Sequence, residues 1–267
     1  MNQYVHGYSE KESSRLADQA GTLTELLHGD TAYPAGSRVL EAGCGVGAQT
    51  ITLSRSSPGA RFDCMDISEA SLDTARRMAV DAQLANVSFR QGDIYQLPYR
   101  TGSFDHVFVC FVLEHLADPL KALAEFRRVL KSGGTLTIIE GDHGSYYCHP
   151  QSHAADQAVR CLVRIQSETG GDALIGRRLY PLMVDAGYAG VAVSPRMVYV
   201  DASRPALVDG FTRKTFTAMV AGVRDQALAM GLIDEQTWDQ GIADLYRTTR
   251  ADGTFCYTFF KGIGLRP

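Results

Sequence analysis

The sequence predicts a doubly wound α/β fold, in which helices cover both faces of a mainly parallel sheet. Short apolar segments typical of strands alternate with segments of helix length along most of the 267 residues. Several of the helix-length segments also begin at recognisable capping residues. Such alternation indicates a parallel sheet with helices on both faces. Because 45% of the residues are apolar and 21% are charged, the chain can bury a full core, and we expect one large α/β domain.

Seven apolar segments are predicted to form the strands. They cover residues 37–43, 60–68, 87–93, 104–115, 133–142, 191–200 and 253–264. Helix-length segments separate the first five, which favours parallel pairing among them. Two further helical patterns, at about 154–169 and 174–186, precede the sixth segment.

Local signals mark where three of the helices begin. Ser9 and Glu12 form a capping box ahead of an amphipathic helix. Ser68 precedes a second helical pattern, and Asp118-Pro119 precedes a third. We therefore divide the chain into an N-terminal helical segment that covers the ligand (1–36), an α/β core (37–200), a mostly helical segment (201–250) and a final core strand (251–267).

A glycine-rich turn follows the first predicted strand, in the stretch VLEAGCGVGAQT. Gly43, Gly45 and Ala48 match the G-x-G-x-x-G/A fingerprint of dinucleotide sites. Asp66 follows the next strand, where an acidic residue can bind ribose hydroxyls. Glu41 argues against a dinucleotide, because a carboxylate at the mouth of the turn would repel a pyrophosphate. It favours a cationic ligand instead, and S-adenosylmethionine (SAM) carries two cationic centres and no phosphate.

The same turn resembles the first motif of the class I SAM-dependent methyltransferases, E/D-x-G-x-G-x-G, at residues 41–47. The similarity extends over about residues 37–142, where QGDIYQLPY, SFDHVFVCFVLEHLADP and LKSGGTLTIIE follow in the family's order. It is greatest to the small-molecule branch of ubiquinone and menaquinone biosynthesis methyltransferases. The long helical segment before the last strand departs from that branch, so a quinone substrate is not implied. The resemblance implies a Rossmann-like sheet of seven strands, the last antiparallel, with a helical cap between strands six and seven.

The resemblance also implies which residues contact SAM. These are Glu41, Gly43, Gly45, Gly47, Asp66, Ile67, Asp93, Ile94, Cys110, His115 and Tyr8. Asp66 would bind the ribose, Asp93 would meet the adenine amino group, and Ile94 would pack on the adenine ring. An aromatic at position 8 could pack near the sulfonium. Structural alternatives are a turn residue for Asp93, a helix cap or solvated residue for His115, and a hydrophobic staple for Tyr8.

The loop after the fifth predicted strand, EGDHGSYYCHP, concentrates His and Tyr residues where ligands of open α/β sheets bind. We expect Asp142, Tyr146 and Tyr147 to contact the methyl acceptor. His143 is the first candidate for a general base and His149 the second, because a neutral imidazole titrates near neutral pH. An ionised thiol or an acidic carbon would need neither. A surface loop with local hydrogen bonds is the structural alternative.

The predicted reaction is SN2 transfer of the SAM methyl group to an O, N, S or carbon nucleophile of a small molecule. An NAD(P)-dependent oxidoreductase and a non-catalytic SAM-binding module stay open as alternatives. We expect no metal, because the loop lacks the Asp-Asn pair of catechol-type methyltransferases. For residues 205–249, a lid over the acceptor site is favoured over a homodimer contact.

Charge and composition limit the classes of binding partner that we expect. The net charge is −4 and no Lys/Arg cluster occurs, so we expect neither nucleic-acid nor membrane binding. The N-terminus lacks the apolar segment of a signal peptide, and no apolar stretch is long enough to span a bilayer. Six scattered cysteines without a C-x-x-C pair fit reduced thiols. We expect a cytoplasmic protein.

Overall fold

The structure of the protein is a computed structural model that describes residues 23–267. The predicted capping box at Ser9 and the proposed cofactor contact Tyr8 lie outside the described residues. Residues 23–28 are helical, and Leu23 and Leu27 are both buried, as the predicted helical spacing requires.

Eight strands form one mixed sheet. They are β1 (Arg38–Ala42), β2 (Arg61–Asp66), β3 (Val87–Gln91), β4 (Phe104–Cys110), β5 (Leu130–Gly141), β6 (Tyr147–His149), β7 (Ala189–Val200) and β8 (Thr254–Leu265). Their order is β3-β2-β1-β4-β5-β8, and β7 pairs along the other edge of β8. Strands β1 to β5 pair in parallel, whereas β8 is antiparallel to β5 and to β7. The predicted Rossmann-like sheet with an antiparallel last strand is confirmed.

The sequence predicts seven strands, and the structure has an eighth, the three-residue strand β6. Strand β8 pairs with β5 through residues 259–265 and then continues past the end of β5. Strand β6 pairs with residues 254–256 and so covers an edge that would otherwise stay open. Three residues are too short to give a strand pattern in the sequence. The helical insertion therefore lies between β7 and β8 in the observed numbering.

Helices cover both faces of the sheet. They include α1 (Ala48–Ser56), α2 (Glu69–Asp81), α3 (Pro119–Val129), α4 (His153–Glu168), α5 (Leu179–Asp185), α6 (Arg224–Ala229) and α7 (Glu235–Arg247). The predicted capping residues start two of them. The Ser68 hydroxyl accepts the Ser71 N–H at 3.2 Å, and the Asp118 carboxylate accepts the Lys121 N–H at 3.0 Å. Single turns of 3₁₀-helix occur at Leu113–His115 and Ile175–Arg178.

Residues 205–247, here called the cap segment, connect β7 to β8. Before α6 and α7 the segment forms a short helix (Pro205–Leu207), a π-helix (Val208–Thr217) and a further helical turn (Ala218–Ala221). Its apolar side chains are buried in the same core cluster as α4 and the first half of β8: Phe211, Phe216, Met219, Val220 and Val223. The cap segment therefore packs on its own subunit.

The cap segment and β8 reach beyond the carboxyl ends of the parallel strands. Gly141, the last residue of β5, pairs with Phe259, and His149 of β6 pairs with Thr254. Five residues of extended chain span about 17 Å. The first part of β8, with β6 and β7 on its two edges, thus extends the same sheet beyond the carboxyl end of β5, and α4 and the cap segment pack against this extension. Among residues 23–267 no helix is long and apolar enough to cross a membrane.

Candidate functional site

The glycine turn joins β1 to α1 in a backbone conformation that suits only glycine. Gly43, Gly45 and Gly47 have φ angles of +77°, +52° and +82°. At Gly43 a Cβ atom would stand 2.4 Å from Cγ2 of Val112. The N–H groups of Gly43 and Cys44 donate to the Met65 carbonyl at 2.7 and 3.0 Å, which ties the turn to the end of β2. The three predicted glycines therefore form one fixed turn.

Asp66, at the end of β2, links the glycine turn to α2. Its Oδ2 accepts the Gly45 N–H at 2.8 Å, and its Oδ1 accepts the Ser68 N–H at 2.9 Å. Burial raises the pKa of this carboxyl, although these backbone bonds favour its ionised form. Ile67 follows with 57% of its surface exposed, which leaves an apolar side chain next to the carboxylate.

Glu41 lies in β1 beneath the turn, and only 2% of its surface is exposed. The Thr50 hydroxyl donates to its Oε2 at 2.6 Å. Burial raises the pKa of Glu41 to about 7, and the nearby Asp66 acts in the same direction. From the sequence we expect this carboxylate at the mouth of the turn. The structure instead places it behind the turn, where its repulsion of a phosphate would be weaker.

Asp93 and Ile94 follow β3, two strands away from the glycine turn. The Asp93 Oδ1 accepts the Tyr95 N–H at 2.8 Å, so this side chain does stabilise a turn. The residue is exposed, whereas Ile94 packs partly against the core cluster around α3. Because Gln91 pairs with Asp66, Asp93 lies just beyond Asp66 at the same edge of the sheet.

The carboxyl end of β4 carries Cys110 and then a tight turn. Burial raises the pKa of the Cys110 thiol, which is therefore neutral. Phe111 adopts φ +57°, a conformation uncommon for residues other than glycine. In the 3₁₀-turn that follows, His115 Nε2 lies 3.6 Å from Glu114 Oε1. His115 is thus part of a local contact with Glu114.

Asp142, in the loop after β5, is held by an ion pair. Arg177 donates from Nε to Oδ2 at 2.5 Å and from Nη2 to Oδ1 at 2.7 Å, and the Gly144 N–H also reaches Oδ1 at 3.0 Å. The carboxylate is buried. These contacts give Asp142 a role in fixing the loop.

His143 is buried and lies between two polar side chains from distant parts of the chain. Its Nδ1 lies 2.7 Å from the Tyr257 hydroxyl, and its Nε2 lies 3.6 Å from Glu114 Oε2. Gln166 of α4 donates from Nε2 to both the carbonyl and Oε2 of Glu114 at 3.1 Å. The result is a buried row, Tyr257–His143–Glu114, beside the ends of β4 and β5.

The other aromatic and histidine residues of the loop lie apart from His143. Tyr146 donates its hydroxyl to Asp156 and packs its ring 5.3 Å from that of Phe216. Tyr147 pairs with Cys256, so it points to the sheet face opposite Tyr257 and is 59% exposed. His149 is exposed, at the far end of β6. The structure therefore brings His143, and neither His149 nor Tyr147, to the ends of the parallel strands.

Two residues of this row, Glu114 and Tyr257, and Gln166, which binds Glu114, were not candidates from the sequence. Glu114 had one local signal, a carboxylate inside an apolar stretch. The other two come from α4 and β8 and have no local signal. In the described part of the chain, no three His, Cys, Asp or Glu side chains meet in a way that could hold a metal ion.

The sequence was also compared with known proteins. Residues 40–138 match a methyltransferase domain model. An uncharacterised 37.1 kDa protein in transposon TN4556 of Streptomyces fradiae is 36% identical over 190 residues, which are 70% of this chain and 54% of that protein. The 27-O-demethylrifamycin SV methyltransferase of Amycolatopsis mediterranei is 33% identical over 134 residues, 50% of this chain and 49% of that protein. The chain thus spans about half the length of these curated relatives.

Solved structures give the same fold. The YcgJ protein from Bacillus subtilis superposes with a TM-score of 0.58 at 18% identity, covering 93% of this chain and 97% of that one. Phosphoethanolamine N-methyltransferase 2 of Haemonchus contortus, in complex with S-adenosylhomocysteine, gives 0.57 at 15% identity, covering 94% of this chain and 52% of that one. Residues 40–138 thus form a methyltransferase domain, as the motifs in this part of the chain predict.

Proposed function

We propose that the protein transfers the methyl group of SAM to a small-molecule acceptor. The observation that carries the proposal is the glycine turn at the end of β1 together with Asp66 at the end of the neighbouring strand. The turn has an open side, since no described atom lies within 4 Å of where a Cβ would stand at Gly45. A ligand can therefore approach the backbone closely at this point.

The residues at the strand ends fit the parts of SAM. The Asp66 carboxylate accepts backbone N–H groups of Gly45, Ile67 and Ser68, and its remaining lone pairs can accept a ribose hydroxyl. The exposed side chain of Ile67 offers an apolar surface to the adenine ring. Asp93, beyond the partner of Asp66, is proposed to reach the adenine amino group, with Ile94 beside the ring. Cys110, the last residue of β4, and His115, in the 3₁₀-turn that follows, complete the proposed cofactor contacts.

Bound SAM supplies an electrophilic methyl group, so the protein has to orient and desolvate the acceptor and, for a hydroxyl, accept its proton. We assign that proton to His143. If Nε2 carries a proton directed at Glu114, Nδ1 is the basic nitrogen. In that tautomer Nδ1 accepts a hydrogen bond from the Tyr257 hydroxyl. The ionised Glu114 would then stabilise the imidazolium. We place the acceptor hydroxyl beside Tyr257, which would pass its own hydroxyl proton to Nδ1 and take the proton of the acceptor in its place.

The cap segment is proposed to cover the acceptor site. Its apolar side chains are buried within the subunit, against β8 and α4. This burial supports the role of a cap rather than that of a dimer contact. Phe211 and Phe216 lie with ring centroids 5.7 and 5.6 Å from that of Tyr257, so the cap segment packs directly against the Tyr257 end of the His143 row. Light scattering tests the alternative, since a dimer at micromolar concentration would favour the contact role.

Calorimetric titration with S-adenosylhomocysteine tests the cofactor. We expect micromolar-class binding by the wild type and a loss of about 1–3 kcal/mol in Asp66→Ala, the scale of a charged hydrogen-bond partner. Asp81→Ala is the matched control, because Asp81 is an exposed carboxylate at the end of α2. Absence of wild-type binding would contradict the proposal, and binding of NAD(H) instead would favour an oxidoreductase.

A screen of hydroxyl, amine and thiol acceptors, followed by release of S-adenosylhomocysteine, tests the transfer itself. With a hydroxyl acceptor, His143→Ala should lower kcat by about 10²–10⁴-fold, the usual contribution of a general base. His149→Ala is the control and should leave kcat unchanged, because His149 lies at the far end of β6. Equal losses in both variants would contradict the assignment of the base, and no turnover with any acceptor would favour a non-catalytic SAM-binding module.

A further inference from the structure

Glu140 is a fully buried carboxyl group that the proposed reaction does not use. It is the penultimate residue of β5, and none of its surface is exposed. Its Oε1 accepts the N–H groups of Val112 and Leu113 at 3.0 and 2.7 Å, and the carboxyl also accepts the backbone N–H of Glu114. Within residues 23–267, its Oε2 has no hydrogen-bond partner. A buried carboxyl oxygen without a donor is costly if the group is charged.

The backbone that Glu140 binds is the turn that carries Glu114. The turn starts at Phe111, whose positive φ is unfavourable for a side chain of this size. The Phe111 N–H donates to the Ile139 carbonyl at 2.9 Å, so β5 holds the start of the turn through its backbone and the rest through Glu140. Glu114, at the end of this chain of contacts, faces His143 Nε2.

Three acids interact with Glu140 from neighbouring elements. They are Glu114 from the 3₁₀-turn, Cys110 from β4 and Tyr257 from β8. Burial, and then Glu114, raise the pKa of Glu140 well above its usual range, although the backbone N–H groups act in the opposite direction. Two carboxyl groups that share a buried site do not both ionise readily.

We propose that Glu140 is a positioning residue that stays protonated, holds the 111–114 turn through its carbonyl oxygen, and leaves Glu114 as the single charged carboxylate opposite His143. The assignment rests on the proposed function, in which His143 is the base. It makes Glu140 act on the reaction only through Glu114.

The titration of His143, followed by NMR of histidine-labelled protein, tests the assignment without an acceptor. Glu114→Gln removes the charged partner, so the midpoint of His143 should move to lower pH by about one pH unit or more. Glu140→Gln replaces a neutral group by a neutral group that keeps an acceptor oxygen for the turn, so the midpoint should stay within about 0.3 pH unit of the wild type. Glu140→Leu releases the turn and should move the midpoint in the same direction as Glu114→Gln.

Two outcomes overturn the assignment. A shift in Glu140→Gln as large as that in Glu114→Gln would mean that Glu140 is itself charged. An unshifted midpoint in Glu140→Leu would mean that the turn does not depend on it. If Glu140→Leu does not fold, infrared difference spectra of wild type and Glu140→Gln decide, since the wild type alone should show the carbonyl stretch of a buried protonated carboxyl at neutral pH. Calorimetry with S-adenosylhomocysteine on the same samples separates failure of this assignment from failure of the proposed function.

Discussion

Three glycines with positive φ angles allow backbone strain, steric contact and ligand access to be separated. Gly36, Gly43 and Gly45 have φ angles of +83°, +77° and +52°. Among the described residues, a Cβ at Gly36 or Gly45 would meet nothing within 4 Å, whereas a Cβ at Gly43 would stand 2.4 Å from Cγ2 of Val112. Alanine in the left-handed region costs about 1–2 kcal/mol. Gly36→Ala should therefore lower the free energy of unfolding by that amount alone.

Gly43→Ala carries the same backbone strain and a steric clash in addition. Overpacking of this kind costs about 1–3 kcal/mol, so the total loss should be about 2–5 kcal/mol. Val112→Ala removes the atom that a Cβ at position 43 would strike. In that background Gly43→Ala should cost only what Gly36→Ala costs, and the double-mutant cycle should give a coupling of about 1–3 kcal/mol.

Urea denaturation of the wild type, Gly43→Ala, Val112→Ala and the double variant measures the coupling. Calorimetry with S-adenosylhomocysteine measures access of the ligand to the glycine turn. Gly45→Ala should unfold like Gly36→Ala and yet bind the ligand at least about tenfold more weakly, because its new methyl group occupies the open side of the turn. A coupling between positions 43 and 112 within about 0.5 kcal/mol of zero would refute the steric part of this reasoning. Unchanged affinity in Gly45→Ala would refute the placement of the ligand.

Two further predictions concern buried carboxyl groups. Because burial raises the pKa of Glu41 from 4.5 to about 7, the folded state binds more protons than the unfolded state between these pH values. Ionisation of Glu41 should therefore lower the free energy of unfolding as pH rises through that range, by roughly 3 kcal/mol in total. Glu41→Gln should reduce the difference between the free energies of unfolding that urea denaturation gives at pH 5 and at pH 8. Arg177→Ala leaves the buried Asp142 without its ion-pair partner and should lower the free energy of unfolding by about 1–3 kcal/mol. Arg178→Ala breaks a more exposed pair with Asp172 and should lower it by less than about 1 kcal/mol. Equal losses in the two arginine variants would contradict the role given to Asp142.

The positions of the longer strands along the chain and the glycine turn could be predicted because their signals are local. The stretch from Glu41 to Gly47 encodes a turn in seven consecutive residues, and Ser68 and Asp118 each start a helix within their own segment. Strand β6 could not be predicted, since it exists only because β8 continues past β5 and offers an edge to pair with. Its three residues form a strand through tertiary contact, without a pattern of their own.

In the candidate site, too, residues with a local signal could be predicted and their distant partners could not. Asp66 was found from its spacing to the glycine turn, and His143 from its place after an apolar strand. The partners of His143 come from far along the chain, with Tyr257 lying 114 residues away and Gln166 lying 52 residues from the Glu114 that it binds. Asp142 and Tyr146 share the loop with His143, but their partners Arg177 and Asp156 hold them in structural contacts. Residue type and loop position do not reveal which side chains of one loop are already engaged.

Electrostatic selection of the ligand also depends on burial, which the sequence does not show. Glu41 and Asp66 lie near the carboxyl ends of β1 and β2, and burial is the first cause of the raised pKa of each. A cation that enters the cleft stabilises the ionised forms and gains from them, whereas a phosphate would push the same carboxyl groups further toward their neutral forms. The preference for a cationic ligand therefore does not need a carboxylate at the mouth of the glycine turn. In the proposed site, Glu41 and Asp66 are two buried acids whose ionised forms a positive charge would stabilise.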